Sequence, residues 1–286
     1  MTSNRTILIT GVTGQQGGAV AQALQGSGFH LRGLTRKPDG ERAAVLARQG
    51  VDIVKGDLDD EATLCRALAG AWGVFGVQNT GEAGVEREEE QGKRLATLAR
   101  EAGVEHYVYT SVGSAEKHTG VPHFDNKARI EETVRGLRFP SHVILRPVFF
   151  MENLVAPFSL QGSTLGWALG PVVKLQMIAV DDIGWFGTRA FTHAAALNRR
   201  EIDLAGDLRS MPEAAEILTK ALGRPIAFAQ TSIEPVRQYS KEMALMLEWF
   251  ERVGYSADIE GLEREFGRKL TKLSEWAGRH APPNGR

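Results

Sequence analysis

Residues 7–24 read ILITGVTGQQGGAVAQAL, an apolar run followed by a glycine-rich turn and a helix-forming stretch. Gly11, Gly14 and Gly17 form the pattern GxxGxxG within it. Glycine suits such a turn because the backbone bends tightly and a phosphate group must approach it closely. The helix start adds free N–H groups and a partial positive charge. The stretch therefore predicts nucleotide binding, and the lack of a Lys-Ser/Thr pair after Gly17 argues against the Walker type of ATP site.

Short β-branched runs alternate with helical patterns through the first half of the chain. This alternation is typical of a parallel sheet with helices on both faces. We therefore predict an α/β fold, a Rossmann-type doubly wound parallel sheet. The predicted strands are 6–10, 30–35, 51–55, 73–77, 106–111 and 141–146, and the predicted helices are 17–25, 41–48, 61–68, 85–102 and 126–135.

The pattern changes after residue 146, where prolines and scattered glycines replace the regular units. We expect residues 1–150 to form a dinucleotide-binding Rossmann domain, 151–280 a smaller α+β lobe for a substrate or partner, and 281–286 a flexible tail. Such a lobe would cover the carboxyl ends of the strands, where open α/β sheets bind ligands. Its predicted elements are helices 183–197, 211–222 and 241–253 and strands 174–180 and 226–230.

Composition excludes several classes of protein. The chain has 286 residues, 42% hydrophobic and 24% charged, with a formal net charge of −1. A nucleic-acid-binding protein normally carries a basic excess, so we expect no nucleic-acid partner. The single cysteine, Cys65, excludes a disulfide framework and a cysteine-rich zinc site, and we expect no metal. We expect a cytoplasmic protein, since no signal-peptide pattern precedes the first strand and proline and glycine interrupt the uncharged stretch 153–173.

The end of the second predicted strand bears on the choice of cofactor. NAD-binding domains usually place a carboxylate there, which accepts a hydrogen bond from the ribose 2′-OH. Here Arg36 and Lys37 follow the strand instead. Arg36 can bind a 2′-phosphate and Lys37 can add positive charge, which favours NADP(H) over NAD(H). Asp39 is the nearest acid and could reverse this preference.

Polar residues also follow the third and fourth predicted strands. Asp57 can accept a hydrogen bond from an adenine amino group while Leu58 packs on the ring. Gln78 and Asn79 stand where the nicotinamide ribose is expected. Each is also an ordinary loop residue, and only its position suggests contact with the cofactor.

The chain resembles the NmrA-like family of atypical short-chain dehydrogenases/reductases. The resemblance spans nearly the whole chain. It rests on the segments TGVTGQQGG (10–18), TRKPD (35–39), GDLDD (56–60), EQGKRLATLAREAGV (90–104), HFDNK (123–127), FFMENL (149–154) and LTKLSEWAGRH (270–280).

The resemblance implies an NADP-preferring Rossmann domain with a C-terminal lobe that shapes a cleft over the nicotinamide. It also implies a monomer or homodimer. The family contains reductases of quinone- or dye-like acceptors as well as regulators that respond to NADPH. Carried over residue by residue, it implies contacts of Thr13, Gln15 and Gln16 with the phosphates, Arg36 with the 2′-phosphate, Gln78 and Asn79 with the ribose, and Lys93, Lys127, Phe150 and Asn153 with the nicotinamide side.

The candidate catalytic residues depart from the common short-chain dehydrogenase pattern. That pattern is Tyr-x-x-x-Lys on one helix face, in which the Lys lowers the Tyr pKa and the Tyr moves a proton. Lys127 is present, but His123 stands at the Tyr position. Either His123 is a general acid while Lys127 positions ribose or substrate, or Lys127 only holds the ribose and His123 is a structural residue. Ser111, at the end of the fifth strand, is a further candidate for binding the cofactor or a substrate carbonyl.

Other polar residues are expected to be structural. Cys65 lies on an amphipathic helix and is expected to be a small core residue. Residues 86–90, with Lys93 and Arg94, are expected to form a solvated helix face with i,i+4 ion pairs. Tyr107 and Tyr109 alternate along the fifth strand and are expected to pack in the sheet.

Two functions remain open on the sequence. One is an NADPH-dependent reductase of a quinone, enone or dye, acceptors that need less help with proton transfer than a ketone. The other is an NADPH/NADP redox sensor that acts through a protein partner, an alternative suggested by the missing Tyr. A sensor requires different affinities in its two states.

Overall fold

A seven-stranded parallel sheet forms the centre of the protein in its computed structural model, which describes residues 5–280. Two three-stranded sheets accompany it. The strands are β1 (Thr6–Ile9), β2 (His30–Thr35), β3 (Asp52–Lys55), β4 (Ala71–Gly76), β5 (His106–Thr110), β6 (Ser141–Pro147), β7 (Phe149–Phe150), β8 (Leu160–Gln161), β9 (Thr164–Trp167), β10 (Lys174–Ile178), β11 (Arg200–Leu204), β12 (Asp207–Ser210) and β13 (Ala227–Gln230).

Helices cover both faces of the large sheet. They are α1 (Gln15–Ala23), α2 (Glu41–Arg48), α3 (Glu61–Leu68), α4 (Thr80–Ala83), α5 (Val85–Glu101), α6 (Pro122–Gly136), α7 (Val180–Thr192), α8 (Met211–Leu222), α9 (Ile233–Tyr239), α10 (Lys241–Arg252), α11 (Ile259–Phe266) and α12 (Leu273–His280). One core packs α1, α2 and α7 on one face, and a second core packs α3, α5 and α6 on the other. This two-sided burial explains why the strands are apolar on both faces.

The strand order places a topological switch point beside β1. The large sheet runs β11-β6-β5-β4-β1-β2-β3, with every pair parallel. The chain moves outward from β1 to β3 and then returns to the other side of β1 as β4. Open α/β sheets bind ligands outside the carboxyl ends of the strands at such a reversal. The glycine-rich turn follows β1, and therefore lies at this point.

Later parts of the chain complete the large sheet. β11 pairs with β6, and α7 packs against α1. The helices approach closely because Gly184 and Gly187 have no side chains: a Cβ on Gly184 would lie 2.7 Å from the carbonyl oxygen of Ala19. The small sheets and α8, α10 and α12 build a third core, which contains Trp167, Trp249 and Trp276. A domain boundary near residue 150 stays a prediction, and the predicted tail 281–286 lies outside the described residues.

Most predicted elements are confirmed, with small differences at their ends. The predicted bounds 41–48, 61–68 and 211–222 match α2, α3 and α8. Helix α6 begins at Pro122 rather than at residue 126, because proline is tolerated in a first turn, where the helix needs no N–H donor. The helix predicted at 183–197 is α7, which starts earlier and ends at Thr192.

Two predictions about single side chains are wrong. Cys65 is exposed on α3, because it faces away from the side that buries Leu64 and Leu68. Glu88 does not belong to a solvated face: it is completely buried between α5 and α6. Tyr107 and Tyr109 are fully buried, as expected. Within residues 5–280, no helix has the length and apolar character needed to cross a membrane.

Candidate functional site

The glycine-rich turn is built so tightly that side chains would not fit. Gly11 has a φ of +57°, and its carbonyl oxygen accepts the N–H of Gly14 at 2.8 Å. A Cβ on Gly17 would lie 2.6 Å from the carbonyl oxygen of Thr10 and closer still to that of Gly11. The start of α1 therefore lies against the end of β1. Its first N–H groups receive no side-chain cap from Gly14, so they remain available to an anion.

The side chains around this turn have different partners. Gln15 is exposed in the first turn of α1. Gln16 points to the sheet, where its Oε1 accepts a hydrogen bond of 2.6 Å from the Thr110 hydroxyl at the end of β5. The carbonyl of Thr13 accepts a 2.9 Å bond from Arg42. Arg42 was not among the predicted residues, although its place at the start of α2, six residues after Arg36, was a usable signal.

The two cations after β2 stand at the carboxyl edge of the sheet. Arg36 forms an ion pair with Glu82 of α4, and both side chains are more than half exposed. Lys37 is exposed, and its backbone N–H binds the Thr35 hydroxyl at 3.2 Å. The guanidinium of Arg36 is thus held by a carboxylate that comes from beyond β4.

The residues after β3 are held by a local turn. One carboxylate oxygen of Asp57 accepts the backbone N–H of Asp59 at 3.1 Å, and the Asp57 N–H binds Thr63. Leu58 is half-buried and packs against the core on the α3 and α5 face. Asp57 retains a half-buried carboxylate at the same sheet edge as Arg36.

The ends of β4 and β5 carry buried polar side chains without partners. Gln78 is 6% exposed, and neither its amide oxygen nor its amide nitrogen meets a hydrogen-bond partner in residues 5–280. The Ser111 hydroxyl is also buried and also has no hydrogen-bond partner in that part of the chain. Buried polar atoms normally find partners, so these groups suit a ligand that offers donors and acceptors. Asn79 is exposed, and its side chain caps α4 by accepting the N–H of Gly81 at 3.0 Å.

Lys127 is held by a buried carboxylate. Its ammonium group lies 2.7 Å from Glu88, whose side chain has no exposed surface. Burial raises the pKa of Glu88, but the charge and hydrogen bond of Lys127, together with the hydrogen bonds from Thr80 and Asn126, lower it more, so the pKa lies below its ordinary value. Lys127 is itself 11% exposed. The pair is therefore ionised and almost withdrawn from water.

His123 lies one turn before Lys127 on α6 and packs edge-to-face on Phe124. Burial, with a smaller effect from the charge of Lys127, lowers the pKa of His123 to about 4. At neutral pH the imidazole is therefore neutral. It can donate one hydrogen bond and accept another, but it holds no extra proton to transfer.

The remaining predicted residues lie on other elements. Lys93 of α5 pairs with Glu89 at 2.5 Å, and Arg129 of α6 joins the same carboxylate. Phe150 is half-buried and packs against the core on the α1 and α7 face. Asn153 is half-buried in a short 3₁₀ turn, Met151–Val155, that follows β7.

Besides Arg42, the sequence analysis missed Glu82 and Glu88. Both lie in a polar stretch, and the sequence contains no sign of which acidic residue turns inward. Glu88 differs from its acidic neighbours in being completely buried against α6, and that depends on how the two helices pack. Among residues 5–280 no group of His, Cys, Asp or Glu side chains is arranged to hold a metal ion.

The parallel sheet, its switch point and the glycine turn define a Rossmann-type doubly wound fold. The chain belongs to the NmrA-like family, whose sequence model matches residues 3–279. A relative from Streptomyces griseus, named (4-alkanoyl-5-oxo-2,5-dihydrofuran-3-yl)methyl phosphate reductase, is 29% identical over 96% of this chain and 98% of its own.

Solved structures share the fold. An NADPH-dependent quinone oxidoreductase of Escherichia coli, solved with NADPH, has a TM-score of 0.80 and is 24% identical, with 96% of this chain and 99% of that chain covered. NmrA, described as a negative transcriptional regulator and solved with NADP, has a TM-score of 0.80 at 19% identity, with 98% and 96% covered. Similar folds thus occur in an enzyme and in a regulator.

Proposed function

We propose that this protein binds NADP(H) and is an NADPH-dependent reductase of a quinone, enone or dye. The observation that carries the proposal is that Gln78 and Ser111 are buried at the ends of the neighbouring strands β4 and β5 and have no side-chain hydrogen-bond partner among residues 5–280. Polar atoms buried without partners destabilise a fold unless a ligand satisfies them. A dinucleotide along this edge would bring hydroxyl and amide groups to them.

The rest of the edge suits the same ligand. The uncapped start of α1 can receive the pyrophosphate, Arg36 and Lys37 can receive a 2′-phosphate, and Asp57 can accept from the adenine amino group. The sequence of the Streptomyces relative, named as a reductase of an oxo-dihydrofuran, supports a reductase. The fold that this chain shares with an NADPH-dependent quinone oxidoreductase is compatible with a reductase function.

The proposed chemistry fits the protonation of the side chains. A bound reduced nicotinamide supplies a hydride. When a conjugated carbonyl accepts a hydride, negative charge develops on its oxygen, and the ammonium group of Lys127 can stabilise that charge. Neutral His123 can orient the acceptor by a hydrogen bond. After the hydride, a quinone or enone takes up one proton, and this proton comes from water. An acceptor whose anion is already stabilised by conjugation suits a site without a Tyr acid.

The test is NADPH consumption by the purified protein, followed by nicotinamide absorbance, with a panel of quinones, enones and triarylmethane dyes. We expect turnover with at least one class, and we expect Lys127→Gln to reduce it by about a hundredfold, as for the loss of a charged transition-state contact. Lys220→Ala, on the exposed side of α8, is the matched control and should retain full turnover. No oxidation of bound NADPH by any acceptor would reject the reductase.

A redox sensor is the second candidate, and the low pKa of His123 favours it because this imidazole holds no extra proton at neutral pH. A sensor must bind NADPH and NADP⁺ with different affinities or change its assembly between them. Titration of both nucleotides, with light scattering on each complex, tests the idea. Equal affinities with unchanged mass and shape would reject it.

A further inference from the structure

Glu88 is a buried charged group that the proposed chemistry does not yet use. It lies in the first turns of α5 and has no exposed side-chain surface. A buried carboxylate is costly unless it is paired and hydrogen-bonded, and removing one partner of such a pair destabilises a protein strongly. The cost of burying the Glu88 carboxylate must therefore be offset by hydrogen bonds and an opposite charge around it.

Three donors from two helices, α6 and α4, converge on this carboxylate. The Lys127 ammonium lies 2.7 Å from one oxygen, and the Asn126 amide donates to the other at 2.9 Å. The Thr80 hydroxyl donates to the same Glu88 oxygen as the Asn126 amide. Asn126 is held in turn by a 2.8 Å bond to the carbonyl of Val85. The carboxylate thus joins α6 to the start of α4.

The third donor links the carboxylate to the proposed cofactor site. Thr80 follows Gln78 and Asn79 directly, at the end of β4. Two other titratable groups lie near the pair: His123 on α6 is influenced by both Lys127 and Glu88, and Tyr109 on β5 by Glu88. Asp125 on α6 and Glu242 on α10 in turn act on His123, and Glu131 on α6 and Glu89 on α5 act on Tyr109. Among the hydrogen bonds and ion pairs of residues 5–280, Lys127 contacts only Glu88.

We propose that Glu88 is a positioning residue: it holds the Lys127 ammonium in place and ties it to the strand end that carries Gln78. The inference rests on the proposed function, since it places Lys127 beside the nicotinamide half of the cofactor. Without the carboxylate, the lysine side chain has four rotatable bonds and no fixed partner, and its ammonium would not stay where the ligand needs it.

The test is a double-mutant cycle on nucleotide affinity in the absence of turnover. NADPH and NADH dissociation constants are measured by fluorescence for the wild type, Glu88→Gln, Lys127→Gln and the double variant. We expect Glu88→Gln to weaken both nucleotides about ten- to a hundredfold, because a charge-assisted contact is lost from the half they share. In the Lys127→Gln background the same change should alter affinity less than about twofold.

Matched variants separate this role from a general effect on folding. Glu86→Gln, at an exposed position on the same helix, should leave both affinities unchanged. Glu88→Asp keeps the negative charge but moves it back by one methylene group. We expect it to weaken nucleotide binding less than Glu88→Gln does, and to do so only when Lys127 is present. Where Glu88→Gln fails to fold, Glu88→Asp in the two Lys127 backgrounds carries the same comparison.

The outcomes distinguish the two proposals. Unchanged affinity in Glu88→Gln, or an equal loss with and without Lys127, would overturn the positioning role while the proposed function stands. Binding of neither nucleotide by the wild type would overturn the proposed function and the positioning role together. A loss that depends on Lys127 supports both.

Discussion

At the scale of single residues, the proposed preference for NADP(H) over NAD(H) rests on Arg36. We predict that Arg36→Ala lowers NADPH affinity by about 1–3 kcal/mol, because a charge-assisted bond to the 2′-phosphate is lost, and that NADH affinity changes little. Fluorescence titration with both nucleotides measures the effect. Arg48→Ala, at the exposed end of α2, is the control. Equal losses for NADPH and NADH would reject a contact with the 2′-phosphate.

A second residue-scale prediction concerns stability in mild acid. The pKa of His123 and that of His106 are each lowered to about 4, chiefly by burial, from an ordinary value of 6.5. Between pH 6.5 and 4 the unfolded chain therefore binds protons that the folded chain does not. The free energy of unfolding therefore has its full value above pH 6.5, and it decreases as the pH falls towards 4.

We expect urea unfolding at pH 7.5 and pH 5 to show this loss, and His123→Gln to reduce it by about 1–2 kcal/mol. His106 retains its own share in that variant, so a part of the pH dependence should remain. His30→Gln, at an exposed position, is the control and should leave the dependence as in the wild type. The same loss in His123→Gln and the wild type would contradict a buried neutral imidazole.

At the scale of elements, the short helix α4 is linked by an ion pair to the residues that follow β2. β2 and β4 flank β1 in the sheet, and neighbouring strands lie about 4.8 Å apart. The ion pair between Arg36, after β2, and Glu82, on α4 after β4, therefore passes over the end of β1 and its glycine turn. A bound 2′-phosphate would compete with the Glu82 carboxylate for the same guanidinium.

We predict that Glu82→Gln raises NADPH affinity about two- to fivefold, the range expected for releasing an exposed ion pair, and raises NADH affinity less. Isothermal titration with both nucleotides measures the difference. Glu86→Gln again serves as the control. Thermal unfolding should hardly change, because both partners of the pair are more than half exposed. An equal gain for the two nucleotides would show that Glu82 does not compete with the 2′-phosphate.

At the scale of the whole molecule, the second half of the chain completes the first. β11 is the edge strand beside β6, and α7 covers α1. The buried guanidinium of Arg146 on β6 joins Glu131 of α6 at 2.6 Å and Glu201 of β11 at 2.5 Å. A chain ending near residue 150 would lack the edge strand, the covering helix and one of these carboxylates.

We therefore predict that residues 1–150 alone do not unfold cooperatively, although they hold the glycine turn and six strands of the large sheet. Circular dichroism during urea unfolding, with the full chain as the control, measures this. A sharp transition with a free energy close to that of the full chain would show that the first 150 residues are an independent domain.

Regular elements and the glycine turn could be predicted because they depend on neighbours in the sequence. The alternation of strands and helices and the bounds of α2, α3 and α8 are local properties, and the structure confirms them. Cys65 was predicted to be a core residue and is exposed, because its burial depends on which face of α3 meets the rest of the molecule. Helix α6 begins at Pro122, earlier than predicted, because a proline is tolerated in the first turn.

The sequence by itself determined the fold class, the glycine turn at the end of β1 and the cations after β2, since apolar periodicity and glycine spacing are written along the chain. Packing brings Glu88 to Lys127 and Glu82 to Arg36, and it buries Gln78 and Ser111 with no side-chain hydrogen-bond partner in the part of the chain that the structure describes. These contacts join residues from 39 to 46 positions apart or depend on burial between elements. The physical reason is that a charge or an amide acquires its role from what surrounds it, and packing alone sets those surroundings.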